Sequence, residues 1–322
     1  MGRRLLLAVL GIGVSLGVYF VWRGWQDPPE QDPSPIVEHV VSPAPVTAAA
    51  ISEAELIQRQ LAGAVALAPA QGFPGALSWY PLHDIGARRG VTLENLLHAR
   101  PVAFLELCLE RYEREVRGYT VTFIKKERID GKLYPPGKND YEEIKVAFRE
   151  QPFSVFFDWK KHRRLAARAL YVEGQNKNKL LARPFLTFMG IQERDLNDPE
   201  ARKYGRYTMA EFGLGKATQR TVAAMHKAEA RGALHVRYEG MVTLAEVGDR
   251  VCYKFVRTPY EPPEEEGVYE LTLYIDCENW LQIGSILRDA EGHLIAEYFF
   301  RDIELIPPHP EFPPEQFDRK AL

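Results

Sequence analysis

Gly118-Tyr119-Thr120-Val121-Thr122-Phe123 is the point at which the hydrophobic period of this 322-residue chain falls from about 3.6 residues to about 2. Tyr119, Val121 and Phe123 alternate with Thr120 and Thr122, and the pattern continues to Ile129. Over 141–149, Ile144, Val146 and Phe148 stand against Lys145 and Arg149. Over 153–159, Phe153, Val155, Phe157 and Trp159 take one face, with Ser154, Phe156 and Asp158 on the other. Segments 165–173 and 179–183 follow closely. Connections this short leave no room for crossover helices, so neighbouring strands must pair antiparallel.

Further along the chain the pattern is interrupted once. Residues 184–206 are mixed, and 207–231 read as a helix despite Gly213 and Gly215. Five more alternating segments follow at 233–246, 250–257, 268–276, 281–288 and 293–305, with turn signals at Val247-Gly248-Asp249 and Ala290-Glu291-Gly292. Upstream, 101–116 places Phe104, Leu105, Leu107, Cys108, Leu109 and Tyr112 on a helical stripe, with Glu106, Glu110, Arg111 and Arg114 on the opposite face. The expectation is an α+β domain over 92–318, with about nine antiparallel strands. A sheet that wide must curl or split, and a curled one has a concave apolar face.

The rest of the chain reads as delivery. Residues 5–22, from Leu5 to Trp22, carry no charge and would span roughly 27 Å as a helix, close to one hydrocarbon core. Arg3 and Arg4 set the N-terminus on the cytoplasmic side, so the body is expected beyond the membrane. The competing reading of 1–26 is a cleaved signal peptide, although Val18-Tyr19-Phe20-Val21-Trp22 lacks the small residues of a cleavage site. Six prolines between Asp27 and Pro45 make 27–46 an extended stalk. Residues 47–91 hold a helix capped by Ser52 and an irregular linker, and 319–322 are a tail. With 46% hydrophobic and 26% charged residues the chain is globular, and a net charge of −3 excludes a nucleic-acid footprint.

Catalytic signatures are missing. There is no G-x-S-x-G, H-E-x-x-H, G-x-x-x-x-G-K-[ST] or strand-linked G-x-G-x-x-G, the eight histidines show no ligand spacing, and no cofactor or metal is expected. Cys252 and Cys277 fall on consecutive strands in an oxidising compartment, which admits a disulfide. A turn centred near Pro263 would place Cys252 opposite Tyr274, however, three positions out of register with Cys277. Asp276, Asn176 and Gly174 read as turn chemistry, and Glu264-Glu265-Glu266 as a solvated loop.

Six stretches together carry a resemblance: Lys125-Lys126-Glu127-Arg128-Ile129-Asp130-Gly131; Phe148-Arg149-Glu150-Gln151-Pro152-Phe153-Ser154-Val155; Tyr171-Val172-Glu173-Gly174-Gln175-Asn176; Arg206-Tyr207-Thr208-Met209-Ala210-Glu211-Phe212-Gly213-Leu214; Tyr274-Ile275-Asp276; and Gln316-Phe317-Asp318. Over about 110–318 the chain resembles the bacterial envelope family catalogued as domain of unknown function 1571. Its order of helix, strand run, helical interruption and strand run is similar to that of the lipoprotein carriers LolA and LolB and the regulator RseB. The resemblance implies a strongly curved antiparallel sheet, a LolA-like half-barrel, wrapped around helices; the transmembrane helix read over 5–22, the stalk and the first helix lie outside the resembling stretch. It also implies a periplasmic or envelope location for the domain.

That resemblance names a ligand class, the acyl chain of a lipid or lipoprotein. Phe123, Phe148, Phe153, Phe157, Trp159 and Tyr171 are the candidates to line such a cavity, with ordinary core packing as the competing role. Glu127, Arg149 and Glu173 are the candidates to pair inside it and orient a head group, against a role as exposed sheet-face charges. The run Lys160-Lys161-His162-Arg163-Arg164, between two strands, suits anionic lipid, a partner or plain solvent. The leading expectation is a non-catalytic, membrane-tethered lipid- or lipoprotein-binding module. The alternatives are an RseB-like regulatory or scaffolding module acting on an envelope partner, and a hydrolase with a dispersed site.

Overall fold

A computed structural model describes residues 38–40, 93–196, 198, 203–260, 267–306 and 312–322. Residues 5–22, read as the membrane segment, lie outside them, as do the helix and linker read over 47–91 and the loop Glu264-Glu265-Glu266. Among the described residues no helix is long and apolar enough to cross a membrane.

Among the described residues three α-helices, α1 (Leu93–Ala99), α2 (Pro101–Glu115) and α3 (Leu214–Glu229), accompany one 13-stranded sheet. The strands are β1 (Glu38–Val40), β2 (Gly118–Ile129), β3 (Lys132–Tyr134), β4 (Glu142–Arg149), β5 (Ser154–Lys161), β6 (Ala166–Val172), β7 (Leu180–Pro184), β8 (Gln192–Arg194), β9 (Val236–Leu244), β10 (Arg250–Arg257), β11 (Glu270–Asp276), β12 (Gln282–Arg288) and β13 (Leu294–Leu305). The spatial order is β1-β9-β10-β11-β12-β13-β2-β4-β5-β6-β7-β8, with β3 on β2, and every pair is antiparallel. One meander therefore runs outward from β2, α3 carries the chain to the other side, and a second meander returns until β13 closes on β2. Register shifts at Glu143/Ile144, Lys254/Phe255, Tyr274/Ile275 and Arg301/Glu304 add local twist on both sides of that seam.

The helices fill one face of the second meander. Phe104 of α2 packs against Tyr253, Phe255 and Trp280 at ring-centroid distances of 5.3–5.6 Å. The two glycines that argue against a helix at α3 are what allow it to dock. Gly213, at φ +139°, begins the helix against Phe148, and Gly215 lies directly under the Tyr112 ring of α2. The Leu214 amide then donates to the Tyr119 hydroxyl (3.0 Å), tying the start of α3 to β2.

Several expectations change. Glu38–Val40, inside the stretch read as a stalk, is paired with Val242–Leu244 at the sheet edge. Cys252 lies opposite Asp276, two positions from the expected Tyr274 and one from Cys277. Both Cys252 and Cys277 are free thiols, and burial pushes that of Cys277 up to about 12. The tail at 319–322 is not an appendage. Phe317 and Leu322 are buried over Ala147, Phe156, Leu170, Val172 and Leu181 on the face opposite the helices, and Arg168 donates to the Ala321 carbonyl (2.9 Å). The turn readings stand as expected. Asp276 accepts the Asn279 amide (3.2 Å), and Gly174 and Tyr171 both donate to the Asn178 side chain (3.0 and 3.1 Å).

Candidate ligand cavity

Between the sheet, the start of α3 and the segment 204–213 that leads into it, the packing leaves a cavity. Cross-strand registry builds its wall. Phe300 of β13 faces Phe123 of β2, which faces Ile144 of β4, which faces Trp159 of β5. One step along, Tyr298, Lys125 and Glu142 form a parallel row. Because side chains alternate across a strand, both rows point to the same side. They enclose a cavity of about 480 Å³ whose lining also includes Phe157, Phe212, Leu180 and Ala182. Its rim is made by Leu165, Phe185, Leu186, Met189 and Tyr204.

Phe212 divides filled core from open space. Thr208 and Glu211 cap each other, with the Thr208 amide and hydroxyl both donating to Glu211 Oε2 at 2.8 Å, and this short turn presents Phe212 to the sheet. Its ring meets Phe157 at 4.9 Å and Phe123 at 5.2 Å on the cavity side, and Phe148 at 6.1 Å on the core side.

One wall is polar and buried. Lys125 Nζ reaches Glu127 Oε2 at 2.7 Å and Glu142 Oε2 at 3.3 Å. The Tyr298 hydroxyl donates to Glu127 Oε1 (2.8 Å), and the Trp159 indole N–H donates to Glu142 Oε1 (3.1 Å). Burial pushes the Glu127 carboxyl up, but Lys125, Tyr298 and the Arg206 amide outweigh it and hold the group below its ordinary value. Desolvation likewise works against charge on Lys125, and the two carboxylates overcome it, so its pKa is raised. Lys125 and Glu127 are thus held in their charged forms, hydrogen-bonded within the wall. With Arg164 at the rim it offers both donors and acceptors to a polar group entering with an apolar chain.

Of the nine candidate residues, Phe123, Phe157, Trp159 and Glu127 come together in this cavity. The other five do not. Phe148 is fully buried, stacked on Tyr119 at 4.7 Å under the first turn of α3. Phe153 packs on Phe148 with Lys216 above its ring, and Tyr171 turns its hydroxyl to Asn178. Arg149 points to the opposite face and lies over the Phe317 ring at 4.7 Å, since alternation sets it against Phe148. Glu173 is exposed and accepts the Phe153 amide. Phe148 and Phe153 lie under the start of α3 and Arg149 under the tail, whereas Tyr171 and Glu173 face the turn after β6 and the Phe153 amide.

The sequence reading did not include Phe212, Tyr298, Lys125 or Glu142. Phe212 lies in the Arg206–Leu214 stretch that carried the resemblance, and Lys125 falls in phase with Phe123 and Glu127, so both had a signal. Asp289, Glu291 and His293 also approach one another, which the scatter of histidines did not suggest. They are outside the cavity lining, and Asp289 serves there as the acceptor for both the Glu291 and His293 amides of the β12–β13 turn.

A family model described as a protein of unknown function (DUF1571) matches residues 116–320. No curated protein matches the chain. Among solved structures, the chain is similar to the Pseudomonas aeruginosa MucA/MucB complex (14% identity, TM-score 0.38), covering 69% of this chain and 62% of that one. It is also similar to a LolA superfamily protein from Nitrosomonas europaea (11%, TM-score 0.29, covering 68% and 98%). A third is the Mycobacterium tuberculosis lipoprotein LppX (8%, TM-score 0.35, covering 63% and 94%).

Proposed function

We propose that this chain, which belongs to the DUF1571 family, is a non-catalytic envelope protein that holds the acyl chain of a lipid or lipoprotein in the cavity between its first meander and Phe212. The observation that carries this reading is the cavity itself, lined by the row Phe123, Ile144 and Trp159 together with Phe157 and Phe212. A cavity of about 480 Å³ falls within the range of roughly 300–1,000 Å³ over which small-molecule sites bury their ligands. Its apolar lining suits hydrocarbon, and the Lys125, Glu127 and Glu142 wall suits a polar head group. In this reading the segment Leu5 to Trp22 anchors the protein in the cytoplasmic membrane, and the body faces the outer side.

Photo-crosslinking tests it. The full chain in nanodiscs is loaded with a diazirine-bearing fatty acid, irradiated and mapped by peptide mass spectrometry. Adducts should fall on the cavity walls, β5 and β7 above all. Adducts scattered over the exterior, or none, would remove the carrier reading and leave a regulatory or scaffolding module.

A further inference from the structure

The β7–β8 connection exposes Phe185, Leu186, Phe188 and Met189 in sequence, and Leu165 from the neighbouring turn adds to them. Phe188 is 83% exposed, whereas Phe185, Leu186 and Met189 also line the cavity rim. The loop is therefore apolar on its inward side, toward the cavity, and on its outward side, toward solvent. A hydrogen bond from the Phe185 amide to the Leu165 carbonyl (3.1 Å) joins it to the β5–β6 turn, where the end of β5 carries Lys160 and Lys161 and the turn itself Arg163 and Arg164. Asp158 and Glu143 pair with the two lysines and Asp140 lies by His162, yet the turn keeps a net positive charge.

We infer that this edge docks on an anionic bilayer: the loop places Phe188, Leu186 and Met189 among the lipid head groups while the basic turn contacts their phosphates. Two features favour lipid over a protein partner. The exposed apolar residues form a short protruding loop, far short of the roughly 20–30 residues a side that a specific protein interface uses. Beside them stand cations, the pairing that binds interfacial segments to negatively charged leaflets. Docking in this pose would set the cavity rim against the membrane, so an acyl chain could pass between the two over a continuous apolar path. The inference rests on the proposed lipid-binding role for its purpose but not for its test.

In the full chain, Phe188→Cys on a Cys277→Ser background accepts an environment-sensitive fluorophore, because Cys108 and Cys252 are buried. The labelled protein is reconstituted in phosphatidylcholine vesicles with or without phosphatidylglycerol, each containing a doxyl-labelled lipid. The expected result is blue-shifted emission and several-fold stronger quenching when phosphatidylglycerol is present, both lost in Lys160→Gln/Lys161→Gln/Arg163→Gln. Water-like, unquenched emission in both vesicles would overturn the inference and turn the loop toward a protein contact. Quenching that ignores phosphatidylglycerol would overturn the assignment to an anionic surface. If crosslinked lipid fills the cavity while the label stays in water, docking fails and the carrier reading stands. If the label enters the bilayer while the cavity never loads, docking stands alone.

Discussion

Gly215 sits so close beneath Tyr112 that a Cβ built on it would stand 2.2 Å from the ring's Cε1. The Tyr112 hydroxyl donates to Glu150 Oε1 at 2.5 Å, so the ring is held from its far end and has little freedom to yield. Gly215→Ala should therefore destabilise the fold by about 1–3 kcal/mol, the usual cost of overpacking, despite the better helix propensity of alanine. A chemical-denaturation midpoint unchanged or raised by Gly215→Ala would contradict this packing.

Two positions on the first meander, one on β4 and one on β7, should behave oppositely. Phe148 is core, and Phe148→Ala should cost about 3–5 kcal/mol. Ala182→Trp projects into open space on the cavity wall, so it should leave the melting temperature nearly unchanged while abolishing fatty-acid crosslinking. Thermal melts run beside the crosslinking assay separate the two effects.

The Lys125–Glu127 pair sets a pH signature. Glu127 has a folded pKa below its ordinary value, so its stabilisation is present above that value and is lost as pH falls through the folded pKa. Lys125 has a raised pKa, so its contribution is complete below its ordinary value and disappears only as alkaline pH rises through the folded one. Glu127→Gln leaves Lys125 with Glu142 alone and should cost about 3–5 kcal/mol, as breaking a buried ion pair does. It should also flatten the acid limb of a stability-versus-pH curve. An acid limb of the same steepness in Glu127→Gln would place the titration elsewhere.

The C-terminal segment should prove structural. Phe317→Ala uncovers Phe156 and Leu170 and removes the ring beneath Arg149, so a loss of about 3–5 kcal/mol is expected. Truncation after residue 311 should expose the whole patch and promote self-association, measurable by analytical ultracentrifugation. A stable monomer after truncation would refute the role assigned to the tail.

The alternation at Tyr119, Val121 and Phe123 and at Val155, Phe157 and Trp159 was enough to place the strands and their inward faces, because half-buried strands must alternate. It could not show what covers each face. Phe156 reads as outward-facing and is outward-facing, yet it is buried by Phe317 from more than 150 residues away, in a proline-rich segment that cannot itself join a ladder. Gly215 reads as a helix breaker because propensity speaks of isolated helices, whereas here contact with Tyr112 decides. The short strands β3 and β8 have too few residues for a period to emerge. The cavity half of the candidate set was legible through β2 and β5. Tyr298 and Phe212 were not, since only the closure of β13 on β2 and the Thr208–Glu211 cap bring them there.

That closure has a kinetic meaning. β2 can pair with β3 and β4 as soon as they are made, but its other edge meets β13 only once the last strand exists, so Phe123 waits for Phe300 through almost the entire course of synthesis. During that interval the early half carries a raw edge along β2, open to mispairing with any extended segment nearby. Pairing within each meander is local, but this seam is not. Its maturation depends on long-range contacts formed at the end, and on whatever shields β2 until then.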